Sequence, residues 1–151
     1  MLIDNDAFIT KMLASYASRL GRKDVEVRNV DIVSTAYEAG SLGLANLDYV
    51  LHYMSEGQIA DAISRLVPAL AHNGLMHITE PEAGCCGLES PEKISAMRTE
   101  LGRHGLFVAE KKAERGGRIL RSERVCIVEF VAARREEDLE RARPLMSLAR
   151  F

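Results

Sequence analysis

His52, Tyr53 and Glu56 put an imidazole, a phenol and a carboxylate within one short stretch, just past an apolar run. These groups can serve general acid–base chemistry, because each can hold or release a proton beside a substrate. The plainer alternative is a His52 at the edge of the core and a packed Tyr53. Cys85 and Cys86 are neighbours, and vicinal thiols suit a soft metal or metalloid. The four histidines are dispersed and there is no second cysteine pair, so no metal site is expected and small residues in a tight loop are the better account of the pair. Asp4 and Asp6 precede a helical pattern that they could cap. Arg115, Arg118, Arg121 and Arg124 make the densest basic patch, which could face an acidic partner or discourage strand pairing at a solvated edge.

The elements that must position these groups follow from periodicity. Residues 1–3 read as a short strand, and Phe8, Ile9, Met12, Leu13, Tyr16 and Leu20 recur at helical spacing before Gly21. Residues 25–30 alternate with period two. The stretch up to Asn46 fits neither period and reads as loop with one helical turn. Residues 47–53 read as a buried strand, and 58–71 as a helix with Ile59, Ile63, Leu66, Val67 and Leu70 on one face, closed by Asn73 and Gly74.

Residues 75–79 read as the next strand and 80–87 as a loop, since proline, glycine and cysteine suit no regular period there. Ser90, Pro91 and Glu92 open a helix carrying Ile94, Met97 and Leu101. Residues 106–110 and 124–132 are two strands joined across Gly116 and Gly117 as an antiparallel hairpin, and Cys126 lies in the core of the second. From Arg134 onward an acidic-then-basic order suits a helix, with Pro144 kinking or ending it. Strands alternating with helices predict an α/β fold: a Rossmann-like three-layer sandwich, mostly parallel, with an antiparallel C-terminal hairpin.

The chain has 151 residues, 47% hydrophobic and 28% charged, with a formal net charge of -2. That predicts one globular domain over residues 1–134 and a helical extension over 135–151, whose Leu139, Leu145 and Leu148 pack on the sheet or on a second subunit. The charge balance gives no support for nucleic acid. No apolar run approaches the roughly 20 residues of a membrane span, and no signal peptide is evident. Three cysteines make no disulfide framework, so a cytoplasmic location is expected.

Taken in order, the strand ending in Asp4, the strand before Asp31, the run 47–51, the segment 66–81, and the stretch 100–107 leading into two final strands resemble the class I S-adenosylmethionine-dependent methyltransferases. The resemblance covers residues 1–134 and matches the family's second to seventh strands. It implies that Asp4, at the end of the second strand, accepts hydrogen bonds from the cofactor ribose. It also implies that Asp31 and Ile32, after the third strand, hold the adenine through a carboxylate and a backbone amide.

The family's first strand and its glycine-rich turn have no match here, and neither residues 40–43 nor 84–87 substitute, since they follow other strands. In the family sheet that strand is central, so its absence leaves two rows of unpaired backbone groups. Three repairs present themselves: direct pairing of the strands at Leu2 and Tyr49, a strand inserted by another chain, or a split enzyme. Direct pairing would give a receiver-like order. Residues 1–21 also resemble the start of response-regulator receiver domains, with Asp4 and Asp6 as metal-binding acids, Thr79 as switch hydroxyl and Lys111 or Lys112 contacting phosphate. The position of the phosphoacceptor, however, falls on Tyr53.

The expected function is a methyltransferase-like domain that binds S-adenosylmethionine and a small-molecule substrate once a second subunit or a complementing chain completes its site. His52 and Tyr53 are the candidate catalytic residues. The alternative is a catalytically inert interaction or regulatory module of the same fold, a degenerate receiver-like domain included.

Overall fold

The computed structural model describes residues 1–23, 25–83, 91–116 and 124–147. The chain divides into two compact units, Met1–Ala36 and Tyr37–Phe151.

In the first unit β1 (Leu2–Asp4) runs parallel to β2 (Val27–Asn29), with α1 (Ala7–Arg19) between them in sequence. Asp6 is the N-cap of α1: its Oδ1 accepts from the backbone N–H of Phe8 at 2.7 Å and of Ile9 at 3.2 Å. Capping belongs to Asp6 alone, since Asp4 turns its carboxylate to the N–H of Asp6 instead. Gly21 ends the helix at φ +67, a left-handed conformation that costs glycine little. One side of α1 buries Thr10 and Ala17, while Phe8, Met12, Tyr16 and Leu20 form a stripe that is 52–73% exposed.

The second unit holds β3 (Leu42–Asp48), α2 (Glu56–Ala69), β4 (Leu70–Ala83), α3 (Pro91–Arg103), β5 (Phe107–Gly116), β6 (Arg124–Ala133) and α4 (Glu136–Ala142), followed by a 3-10 turn at Arg143–Ser147. Its four-stranded sheet has the order β3-β4-β6-β5; β3 and β4 are parallel, and β6 is antiparallel to both β4 and β5. The expected antiparallel pair is present, and β6 lies between its hairpin mate and the parallel strands. The expectation of one mostly parallel sheet is met in part: among the described residues there is a small parallel pair and a mixed sheet with one parallel and two antiparallel pairings. Among the described residues β1 pairs with β2 in the first unit and β3 pairs with β4 in the second.

Several boundaries move for tertiary reasons. The expected strand 47–53 is instead Leu42–Asp48, because pairing with β4 recruits Gly43, Ala45 and Asn46 despite their weak strand propensity, and residues Leu51–Tyr53 form a 3-10 turn. The expected strand 75–79 is Leu70–Ala83; β6 continues alongside it, so Glu80 and Pro81 belong to strand and not to loop. The second helix runs Glu56–Ala69 rather than 58–71, started by a Ser55–Gln58 capping box and ended as the chain enters β4, not by Gly74. Residues 84–87 with Cys85 and Cys86, Ser90, Gly117, and Arg118 and Arg121 of the basic patch lie outside the described residues.

Helices cover both faces of the mixed sheet. On one face Met76, Ile78, Val128, Phe130 and Ala132 are buried; α3 lies on this side, where Arg98 grips Glu110, the register partner of Phe130, at 2.9 and 2.8 Å. On the other, Leu139 and Ala142 of α4 and Met146 pack against Val131 and Ala133. Arg135 donates to Asp138 at 2.7 and 3.1 Å and holds that carboxyl below the usual aspartate range. Among the described residues no helix is long and apolar enough to cross a membrane.

Candidate functional site

In the first unit the parallel pairing of β1 and β2 places the two cofactor-assigned acids at the same end of a sheet. Asp4 is the last residue of β1, and Asp31 stands two residues beyond the end of β2. The carbonyl of Asp4 accepts from the N–H of Val30 and from Asn29 Nδ2, both at 3.1 Å, which ties the ends of the two strands together. Its half-buried carboxylate takes the N–H of Asp6 at 2.7 Å. Asp31 opens a tight turn: Oδ1 accepts from the N–H of Val33 at 2.9 Å, and its carbonyl accepts from Thr35 Oγ1 at 2.7 Å. Ile32 is half-buried inside that turn.

In the second unit the carboxyl ends of β3 and β4 gather a different set. Tyr49, next after β3, has φ 54, the only positive value at a described non-glycine residue, and so swings the chain into the 3-10 turn. Glu80 of β4 is fully buried beneath that turn. Its Oε1 accepts from the N–H groups of Val50 at 2.8 Å and Leu51 at 2.6 Å, and its Oε2 from the N–H of His52 at 3.2 Å. Oε2 also meets His52 Nδ1 at 2.7 Å. A carboxylate only accepts, so Nδ1 is the donor in this contact. Lys93 of α3 donates to the His52 carbonyl at 2.6 Å.

His52 is therefore a buried imidazole oriented by a buried carboxylate. Tyr49 meets it edge-on with ring centroids 6.3 Å apart, and Tyr53 lies over it at 3.9 Å. Tyr53 is 68% exposed, so it does not pack into the core. The arrangement can hold an imidazole in one tautomer and present a phenol beside it. Glu56 lies apart from this contact as an exposed residue in the first turn of α2.

Glu80, the organiser of this turn, escaped the sequence reading because the proline after it suggested a loop. The available signal was alternation: Met76, Ile78 and Glu80 are at i, i+2 and i+4, which in a strand puts the acid on the buried face.

This arrangement of strands and helices belongs to the fold of the class I S-adenosylmethionine-dependent methyltransferases. Particular likenesses are the YcgJ protein from Bacillus subtilis, with TM-score 0.68 and 11% identity over 88% of this chain and 81% of that one. A SAM-dependent methyltransferase from Aquifex aeolicus matches with TM-score 0.60 and 17% identity over 85% of this chain and 66% of that one. A geranyl diphosphate methyltransferase in complex with SAM matches with TM-score 0.65 and 11% identity over 88% of this chain and 67% of that one. No sequence-family profile and no curated protein matches the chain. Likeness at such identities carries the fold and leaves the chemistry to the site.

Proposed function

We propose that this chain is a methyltransferase-like domain that holds the nucleoside part of S-adenosylmethionine and depends on a partner chain or a second subunit to complete the cofactor site. The observation that carries the reading is the position of Asp4 and Asp31 at one end of a parallel strand pair, the end at which open α/β sheets bind ligands. Each carboxylate spends one oxygen on a turn N–H and, among the described residues, keeps the other as an acceptor.

The residues present fit the nucleoside part of the cofactor: Asp4 would take the ribose hydroxyls, Asp31 the exocyclic amine and the N–H of Ile32 a ring nitrogen. They offer less to its methionine part. The described positive-φ glycines are Gly21, Gly40 and Gly105; two follow helices and one precedes β3, so none forms a turn after a strand. Among the described residues β1 and β3 are each an edge strand of their own sheet, and an edge strand can take a further strand, which supports completion from outside. When bound, S-adenosylmethionine supplies a methyl group activated by its sulfonium, and the contribution of this chain is orientation.

Calorimetry with S-adenosylmethionine tests the reading, on the chain alone and with a candidate partner. Binding heat that disappears in Asp4→Ala supports it. No heat in either case sinks it in favour of an inert interaction module, and a magnesium-dependent reaction with a small phosphodonor would point to a receiver-like role.

A further inference from the structure

On the sheet face beneath α4, three polar side chains from three adjacent strands join in a row. His77 Nδ1 of β4 meets Asn46 Oδ1 of β3 at 2.6 Å, and its Nε2 meets Glu129 Oε1 of β6 at 2.8 Å. The side chain of Glu129 is only 9% exposed. A cavity of about 150 Å³ opens beside this row, with Leu44, Leu75, Val131 and Met146 as its apolar wall and His77 and Glu129 at its polar end.

Two facts set what the cavity can hold. An apolar space of about this volume takes a molecule the size of benzene. A buried carboxylate is costly unless its acceptor sites are filled, and His77 fills one oxygen of Glu129. Lys111, the register partner of Glu129, does not fill the other: its Nζ donates to the Met146 carbonyl at 3.3 Å. Among the described residues the second oxygen of Glu129 has no hydrogen-bond donor, so a cationic donor entering the cavity could make a charge-assisted bond to it.

We infer that this cavity binds a small amine: an apolar body about one aromatic ring in size against Leu44, Leu75, Val131 and Met146, with its ammonium on Glu129. This site shares no residue with the acids expected to hold the cofactor, and the inference stands whether or not S-adenosylmethionine binds.

Titrating the full chain with benzylamine, toluene and benzoate, followed by two-dimensional NMR, tests it. Benzylamine should shift the methyl resonances of Leu75, Val131 and Met146 and bind at least about tenfold more tightly than toluene, with benzoate showing nothing, since a charge-assisted contact adds on the order of one decade or more. Glu129→Gln should remove the preference for benzylamine and leave toluene unchanged. Leu75→Phe, which fills the cavity and keeps the carboxylate, should abolish both. No shift at these methyls in the unaltered chain, or equal binding of all three probes, overturns the inference whether or not either variant folds.

Discussion

Glu80 concentrates more of the local energetics than any other described polar residue, because one buried carboxylate serves three backbone N–H groups and an imidazole. Removing it orphans all four donors in a dry environment. Glu80→Ala should therefore cost about 3–5 kcal/mol, read from the urea midpoint, while Glu80→Gln, which keeps one acceptor oxygen, should cost less. Asp138 makes a pH-dependent contribution. Hydrogen bonds from Arg135 lower its carboxyl below the ordinary aspartate range, so its stabilisation is complete above that range and is lost as pH falls through the depressed folded value. Below about pH 4 the unaltered chain should lose stability faster than Asp138→Asn does, as thermal melts across an acid pH series would record.

At the scale of the elements, the caps behaved as local chemistry predicts. Asp6 and Ser55 each accept from the first turn of their helices; Asp6 is legible as an acceptor side chain before an apolar repeat, whereas the expected helix 58–71 leaves Ser55 outside it. Strand lengths were less legible. β4 spans Leu70–Ala83 because β3 lies along one part of it and β6 along another, and no pattern within 75–79 announces those partners. Gly74 illustrates the same point. It reads as a helix stop, yet it lies inside β4 where a Cβ would come within 2.6 Å of the Leu42 carbonyl and 2.9 Å of the Ala71 nitrogen. Both obstacles are backbone, so Gly74→Ala should destabilise by about 1–3 kcal/mol and lower the melting temperature.

At the scale of the whole molecule, the core is unevenly shared. Of the buried apolar side chains described, only Ala17 belongs to the unit Met1–Ala36; the rest, from Ala45 to Met146, belong to Tyr37–Phe151. A single helix on a two-stranded sheet is too small to be stable alone. Residues 37–151 expressed alone should unfold cooperatively in urea, followed by circular dichroism, and a peptide of residues 1–36 should show no such transition. The exposed stripe on α1 and, among the described residues, the edge positions of β1 and β3 in their own sheets agree with a fold that gains further cover.

By itself, the sequence determined the kind and order of the elements, the Asp6 cap and the acids at the ends of the first two strands, because periodicity and caps act over a few residues. Only the tertiary structure decided that β6 lies between β4 and β5, that Glu80 is buried under His52, and that His77 joins Asn46 to Glu129. The side-chain contacts join residues 28 to 52 positions apart, so they exist only once strand pairing has chosen the neighbours.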